Sequence, residues 1–112
     1  MRLKSEIWVK AYLRRCAGEG IACVVARRGD ADAGVVYIKV IRLDGTASLY
    51  GPAIAGLEAE GGRLWMPLAE GVPESEISAR LEREAQLDTD LWIVEIEDRQ
   101  GRHFLDGWLA PE

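Results

Sequence analysis

Arg27-Arg28-Gly29-Asp30-Ala31-Asp32-Ala33-Gly34 runs directly into Val35-Val36-Tyr37-Ile38-Lys39-Val40. A charged, glycine-bounded loop thus feeds the most strand-like run in the chain. Loops held by rigid strands are where binding residues concentrate, so this stretch anchors both the fold and the search for a site. Residues 21–27 before it form a short apolar run bounded by glycines, read as a buried strand. Residues 35–43 are the second strand. Asp44-Gly45 is a two-residue hairpin signal, because Gly accepts the positive φ of a type I′ turn. Residues 46–50 return as the third strand. Residues 51–62, rich in Gly and Ala and carrying Glu58 and Glu60, read as a surface loop. Residues 64–68 make a short fourth strand, which Pro67 pushes toward a sheet edge.

Upstream, residues 5–17 read as a helix. Trp8, Val9, Tyr12, Leu13 and Cys16 share one face. Ser5 is its expected N-cap, and Gly18 or Gly20 its stop. Leu3, Ile7, Val9, Ala11 and Leu13 also fit strand alternation, but the wide stripe and the two end signals favour the helix. Downstream, Pro73 opens a second helix, with Glu74 and Glu76 in its first turn, where negative charge suits the dipole. Its stripe Ile77, Leu81, Ala85 is narrow, which suits a peripheral helix. In residues 91–97, Trp92, Val94 and Ile96 alternate with Glu95 and Glu97, as a half-covered strand does. Arg99-Gln100-Gly101 is a turn. The tail holds Phe104, Leu105, Trp108 and Leu109, so it is expected to dock on the body. The order is α-β-β-β-β-α-β. The expectation is one α+β domain over residues 1–112, with a largely antiparallel sheet of about five strands in a meander and both helices on one face.

Composition narrows the function. A chain of 112 residues holds one core, and 48% hydrophobic against 29% charged residues is a globular balance. A net charge of -5 argues against a nucleic-acid partner, which needs surplus Lys and Arg to displace counterions. No apolar run approaches the roughly 20 residues of a membrane helix, and Arg2, Lys4, Glu6 and Lys10 leave no apolar signal core. The expectation is a cytoplasmic protein without a membrane partner. Cys16 and Cys23 match neither a redox nor a zinc spacing and read as buried reduced thiols.

The candidate chemistry is thin. Asp30-Ala31-Asp32 offers two carboxylates, but Gly34 stands where a calcium loop needs its third ligand. No metal and no cofactor are called for; the aspartates read as turn residues that accept backbone N–H groups. One of Arg27 and Arg28 is expected to pair with Asp30 or Asp32, leaving the other for a carboxylate or phosphate, which its planar fork binds with two hydrogen bonds. His103 is the only histidine, so any Cys–His or Ser–His pair must use it. Gly51 and Gly56 have phosphate-loop spacing, but Leu57-Glu58 follows instead of Lys-Ser/Thr. Glu95, Glu97 and Asp98 form an acidic strand face, with Lys39 or Arg42 on a neighbouring strand as its expected partners. Of the four tryptophans, most are core, and an exposed one beside an Arg would be an interface anchor. The candidate binding residues are therefore Arg27, Arg28, Asp30, Asp32 and His103, with no catalytic assembly of base, nucleophile and orienter.

The run Leu3-Lys4-Ser5-Glu6-Ile7-Trp8-Val9, then Leu13-Arg14-Arg15, Arg27-Arg28-Gly29-Asp30 through Gly34, Asp90-Leu91-Trp92, and Gly101-Arg102-His103-Phe104 resembles a family of short alphaproteobacterial proteins. That family is defined only as a domain of unknown function, number fourteen ninety-one. The resemblance spans residue 3 to about residue 104. It implies a bacterial single-domain cytosolic protein and carries no reaction, cofactor or catalytic residue. The leading expectation is a non-enzymatic interaction module that binds an unidentified protein or a second copy of itself, an exposed strand edge being one route to a homodimer. The alternative is a small-molecule or anion-binding domain, even a weak enzyme, using the Arg27/Arg28 loop and His103.

Overall fold

The computed structural model describes residues 3–53 and 63–111. Helix α1 spans Ser5–Gly18 and helix α2 spans Glu74–Leu87. The strands are β1 (Ala22–Arg27), β2 (Val36–Ile41), β3 (Thr46–Pro52), β4 (Trp65–Pro73) and β5 (Trp92–Glu97). The order of elements is the one the sequence predicts, and together they form one small α+β domain. Residues 54–62, most of the expected Gly- and Ala-rich loop, lie outside the described residues. Gly51 and Pro52 belong to β3, and β4 runs on to Pro73, well past the expected end at residue 68.

The sheet order is β1-β5-β2-β3-β4. This corrects the expected meander. β5 pairs antiparallel with β1 and parallel with β2, so the last strand slots into the middle of a mixed sheet. The parallel pair requires a long crossover, which runs through β3, β4 and α2. The central position of β5 explains its composition: Trp92, Val94 and Ile96 are buried on one face, and Ile93 and Glu95 are half-covered on the other.

The helices do not share a face, a second correction. Trp8, Val9, Tyr12 and Cys16 of α1 pack with Val36, Ile38, Val40, Trp92, Val94 and Ile96. Ile77 and Leu81 of α2 pack with Ala47, Leu49, Tyr37 and Ile93 on the opposite side. Period two in β2 is the cause: successive side chains point to opposite faces, and both faces of this strand are apolar enough to need a cover. Lys39 lies on the α2 side, only 4% exposed, with its ammonium 3.0 Å from Glu74 and 3.9 Å from Glu95.

β1 is an edge strand, not a buried one, with Ala22, Val24, Val25 and Ala26 exposed. The hairpin at Asp44 is wider than a type I′ turn. Three residues lie between the bonded pair Arg42 and Thr46, with Leu43 and Gly45 both at positive φ. Asp44 Oδ1 closes it by accepting from the Thr46 N–H and hydroxyl at 2.9 and 2.6 Å. Ser5 does not cap α1 with its side chain. The first N–H groups of the helix donate instead to the opening loop: Ser5 N to Asp32 O at 3.2 Å and Glu6 N to Ala31 O at 2.9 Å. The backbone of that loop thus satisfies donors that a helix start leaves orphaned. Among the described residues, no helix is long and apolar enough to cross a membrane.

Candidate functional site

The charged loop spends its groups on the fold. Asp30 Oδ2 accepts the N–H groups of Asp32 and Ala33 at 3.1 and 2.8 Å, a local turn of the kind its residue type favours. The Asp30 carbonyl accepts the indole N–H of Trp92 at 2.8 Å, and the Asp30 N–H donates to Asp90 O at 2.9 Å. Arg28 Nη2 bonds Glu6 Oε1 at 2.5 Å, and its guanidinium lies 5.1 Å from the Trp92 ring centre. Arg28 holds Glu6 below the ordinary carboxylate range, chiefly through that hydrogen bond and then through its charge. Arg27 Nη2 donates to Thr89 O at 3.1 Å. Asp32 sits 3.6 Å from Lys4 with both side chains exposed. The ion-pair partner of Arg28 is therefore Glu6, not Asp30 or Asp32 as the sequence suggests.

Arg27 also lines a cavity of about 290 Å³ between α2 and the β1 side of the sheet, together with Lys39, Ser78 and Glu95. Lys39 Nζ lies 3.1 Å from Ser78 Oγ, the reach of a nucleophile and its base. The same ammonium bonds Glu74 and faces Glu95, so its donors are taken up by an ion-pair cluster. Among the described residues, no three His, Cys, Asp or Glu side chains converge to hold a metal ion.

His103 stands apart from the loop. The segment that carries it is pinned from both ends. Asp98, buried at the end of β5, accepts from Arg102 at Nε, Nη2 and the backbone N–H, at 3.0, 2.8 and 2.8 Å. The Arg102 hydrogen bonds hold the Asp98 carboxyl below its usual range against the opposing effect of burial. Phe104 follows with φ 55, a left-handed backbone that a buried aromatic residue rarely adopts. Three contacts from α1 fix this turn. Tyr12 donates to His103 O at 2.6 Å, and Arg15 Nη1 donates to Phe104 O at 3.3 Å and Asp106 O at 2.7 Å. Beyond it, Trp65 N donates to Trp108 O at 2.7 Å and Ala110 N to Trp65 O at 2.8 Å, so the tail docks on the body as expected, at the start of β4. Trp108 is half-buried under the Arg15 guanidinium, 4.6 Å from its ring. That indole sits against Trp8 in the aromatic cluster of Trp8, Tyr12 and Trp65.

Between this docked tail and strands β3 and β4 lies a cavity of about 470 Å³. Tyr50, Glu70 and His103 are its polar residues; Met66, Pro67 and Leu109, with Ala110 and Pro111, make up the apolar wall. The Leu105 N–H donates to His103 Nδ1 at 2.8 Å. A neutral imidazole therefore carries its proton on Nε2 and offers it as a donor. The His103 ring stands edge-on to Tyr50 at 5.2 Å. Burial, and then the charge of Glu70, push the Tyr50 phenol above its ordinary value, so it stays protonated. His103 is the one sequence candidate at this cavity. Tyr50, Glu70 and the apolar wall carry no motif or spacing that sequence reasoning uses; long-range docking brings them together.

The chain has close structural relatives. A crystal structure at 1.87 Å of a DUF1491 family protein from Caulobacter crescentus CB15 is 42% identical, covers 99% of this chain and 100% of its own, and superposes with a TM-score of 0.82. An NMR structure of a DUF1491 family protein from the same organism is 47% identical over 93% of both chains, with a TM-score of 0.77. The solution structure of protein Atu0922 from A. tumefaciens is 36% identical, covers 100% of this chain and 99% of its own, and has a TM-score of 0.83. No curated protein matches the chain. The family model described as "Protein of unknown function (DUF1491)" matches residues 3–106. The chain belongs to the DUF1491 family, in keeping with the resemblance carried by its sequence runs.

Proposed function

We propose that this chain is a small-molecule-binding domain, without catalytic machinery of its own, whose ligand occupies the Tyr50–His103 cavity. The observation that carries the reading is the fixed imidazole. The Leu105 N–H occupies Nδ1, so the second ring nitrogen is left to serve the cavity as a donor. Glu70 supplies an acceptor and a negative charge, and the rest of the wall is apolar. A volume of about 470 Å³ lies within the few hundred to 1,000 Å³ typical of small-molecule sites, which pair an apolar lining with a few placed polar groups. The ligand this chemistry recognises has a compact apolar or aromatic body, an acceptor for His103 Nε2 and an amine or other donor for Glu70. The cytoplasm is the compartment that suits two free thiols, Cys16 and Cys23.

The anion-binding reading of the Arg27/Arg28 loop has less support, because both guanidinium groups are engaged within the fold. The interaction-module reading of that loop weakens for the same reason. A fragment panel of aromatic and alicyclic amines, carboxylates and nucleosides, read by NMR chemical-shift changes, tests the proposal. Hits should move the resonances of Tyr50, His103 and Leu109 and lose affinity in Glu70→Ala. A panel without hits, or hits that map to Arg27, Arg28 and Asp30, would overturn it.

A further inference from the structure

We infer that β1 is a self-association edge, and that its partner is β1 of a second copy of this chain, paired antiparallel. The two edges of the sheet are treated differently. At the start of β4 the chain lays its own tail, with Trp65 exchanging backbone hydrogen bonds with Trp108 and Ala110. β1, at the opposite end of the sheet, pairs only with β5 among the described strands. A sheet edge presents a row of unpaired N–H and C=O groups, and natural edges are guarded with Lys, Pro or inward-pointing charge. From Ala22 to Ala26 this strand carries none of these. Val24 is 55% exposed on one face and Val25 38% on the other, so a pairing strand would cover apolar side chains on both sides.

Charge fixes the direction. Exposed Glu19 precedes the strand, and Arg27-Arg28 ends it. Antiparallel pairing brings the acidic start of one copy to the basic end of the other, whereas parallel pairing stacks like charge on like. Arg28 keeps 63% of its side chain exposed while it bonds Glu6, so the end of the strand carries positive charge at the surface. One guard is present. The register against β5 slips between Val25 and Arg27, a bulge that limits the regular edge to Ala22–Val25. So short an edge pairs weakly, which makes the dimer concentration-dependent.

Sedimentation equilibrium of the full chain, from low micromolar to near-millimolar concentration, tests the inference. It should show a reversible monomer–dimer equilibrium. Val24→Lys, which places a charge at the centre of the exposed edge, should leave the chain monomeric with an unchanged melting curve, while Val24→Thr retains the dimer. Amide exchange at residues 22–25 should slow with concentration in the wild type and not in Val24→Lys. A wild type that stays monomeric throughout, or a Val24→Lys chain that still dimerises, would overturn the proposal.

Discussion

The phenol of Tyr12, in the middle of α1, donates to the main-chain carbonyl of His103, 91 positions away, at 2.6 Å. Helix and cavity wall are thereby one unit. Burial raises the Tyr12 phenol well above its ordinary value, so it remains a donor at all working pH values. Tyr12→Phe keeps the ring in its stack on Trp8 and removes only the hydroxyl. The expected cost is about 1 kcal/mol, that of one net hydrogen bond. The cavity should suffer more than the fold. Amide exchange at residues 103–105 is expected to rise several-fold while the rest of the domain stays protected. Uniform loss of protection would show that Tyr12 acts on global stability instead.

Ser5 is fully buried, and its hydroxyl links three elements. It donates to Gly34 O at 2.5 Å and accepts from Arg63 Nη2 at 2.7 Å. Arg63 also donates to Gly34 O and Leu3 O. Ser5→Ala removes a buried hydroxyl that bonds both Gly34 O and Arg63 Nη2, a cost of about 1–3 kcal/mol for two buried hydrogen bonds. Ser5→Thr retains the oxygen but adds a methyl in a closed space. Denaturant melts should rank wild type above Thr and Ala, with Ala losing at least about 1 kcal/mol from those two bonds. An Ala variant as stable as wild type would mean that the network contributes nothing net.

The elements are legible in the sequence because their signals are local. The α1 stripe of Trp8, Val9, Tyr12 and Cys16 and the alternation of Trp92, Val94 and Ile96 both read directly. What local patterns cannot carry is which neighbour a strand takes. The residues of β5 suit an antiparallel edge as well as a parallel centre, and only the tertiary fold decides. The role of Ser5 escapes local patterns for a related reason. Serine before an apolar stripe is the usual N-cap, but here backbone carbonyls of the charged loop do that work and free the hydroxyl for Gly34. The loop stood out by composition, yet its importance is architectural. The cavity was legible only through His103, since Tyr50, Glu70 and Leu109 meet from three separate segments.

Asp98 makes stability depend on acid. Its folded pKa lies below the unfolded value because Arg102 bonds its charged form. A group depressed in this way contributes stability that is present above the unfolded pKa, about 3.9, and is lost as pH falls through the folded value. The wild type should therefore lose stability progressively below about pH 4. Asp98→Asn removes the charge and should flatten that part of the curve while lowering stability at neutral pH. Melting temperatures between pH 2 and 7 give the comparison. Parallel curves for the two proteins would mean that other carboxylates govern the acid transition.

The last prediction separates the backbone of the charged loop from its charges. A Cβ on Gly34 would meet the Asp90 carbonyl oxygen, the Asp30 carbonyl oxygen at 2.9 Å and the Trp92 ring at 2.9 Å. A Cβ on Gly29 would collide with the Asp90 and Leu91 backbone. Neither glycine needs a special φ; both are glycine because the loop lies directly against the start of β5. Backbone atoms cannot rotate away, so Gly34→Ala must push the loop off Trp92 and off the α1 N-terminus it caps. That loss should reach about 3 kcal/mol, the upper end for overpacking. Asp30→Ala breaks only the turn hydrogen bonds to Asp32 and Ala33 and should cost about 1 kcal/mol, like the loss of a helix cap. Chemical denaturation of both variants decides the point. If Asp30→Ala proves the more damaging, the carboxylate, rather than the close backbone approach, holds the loop.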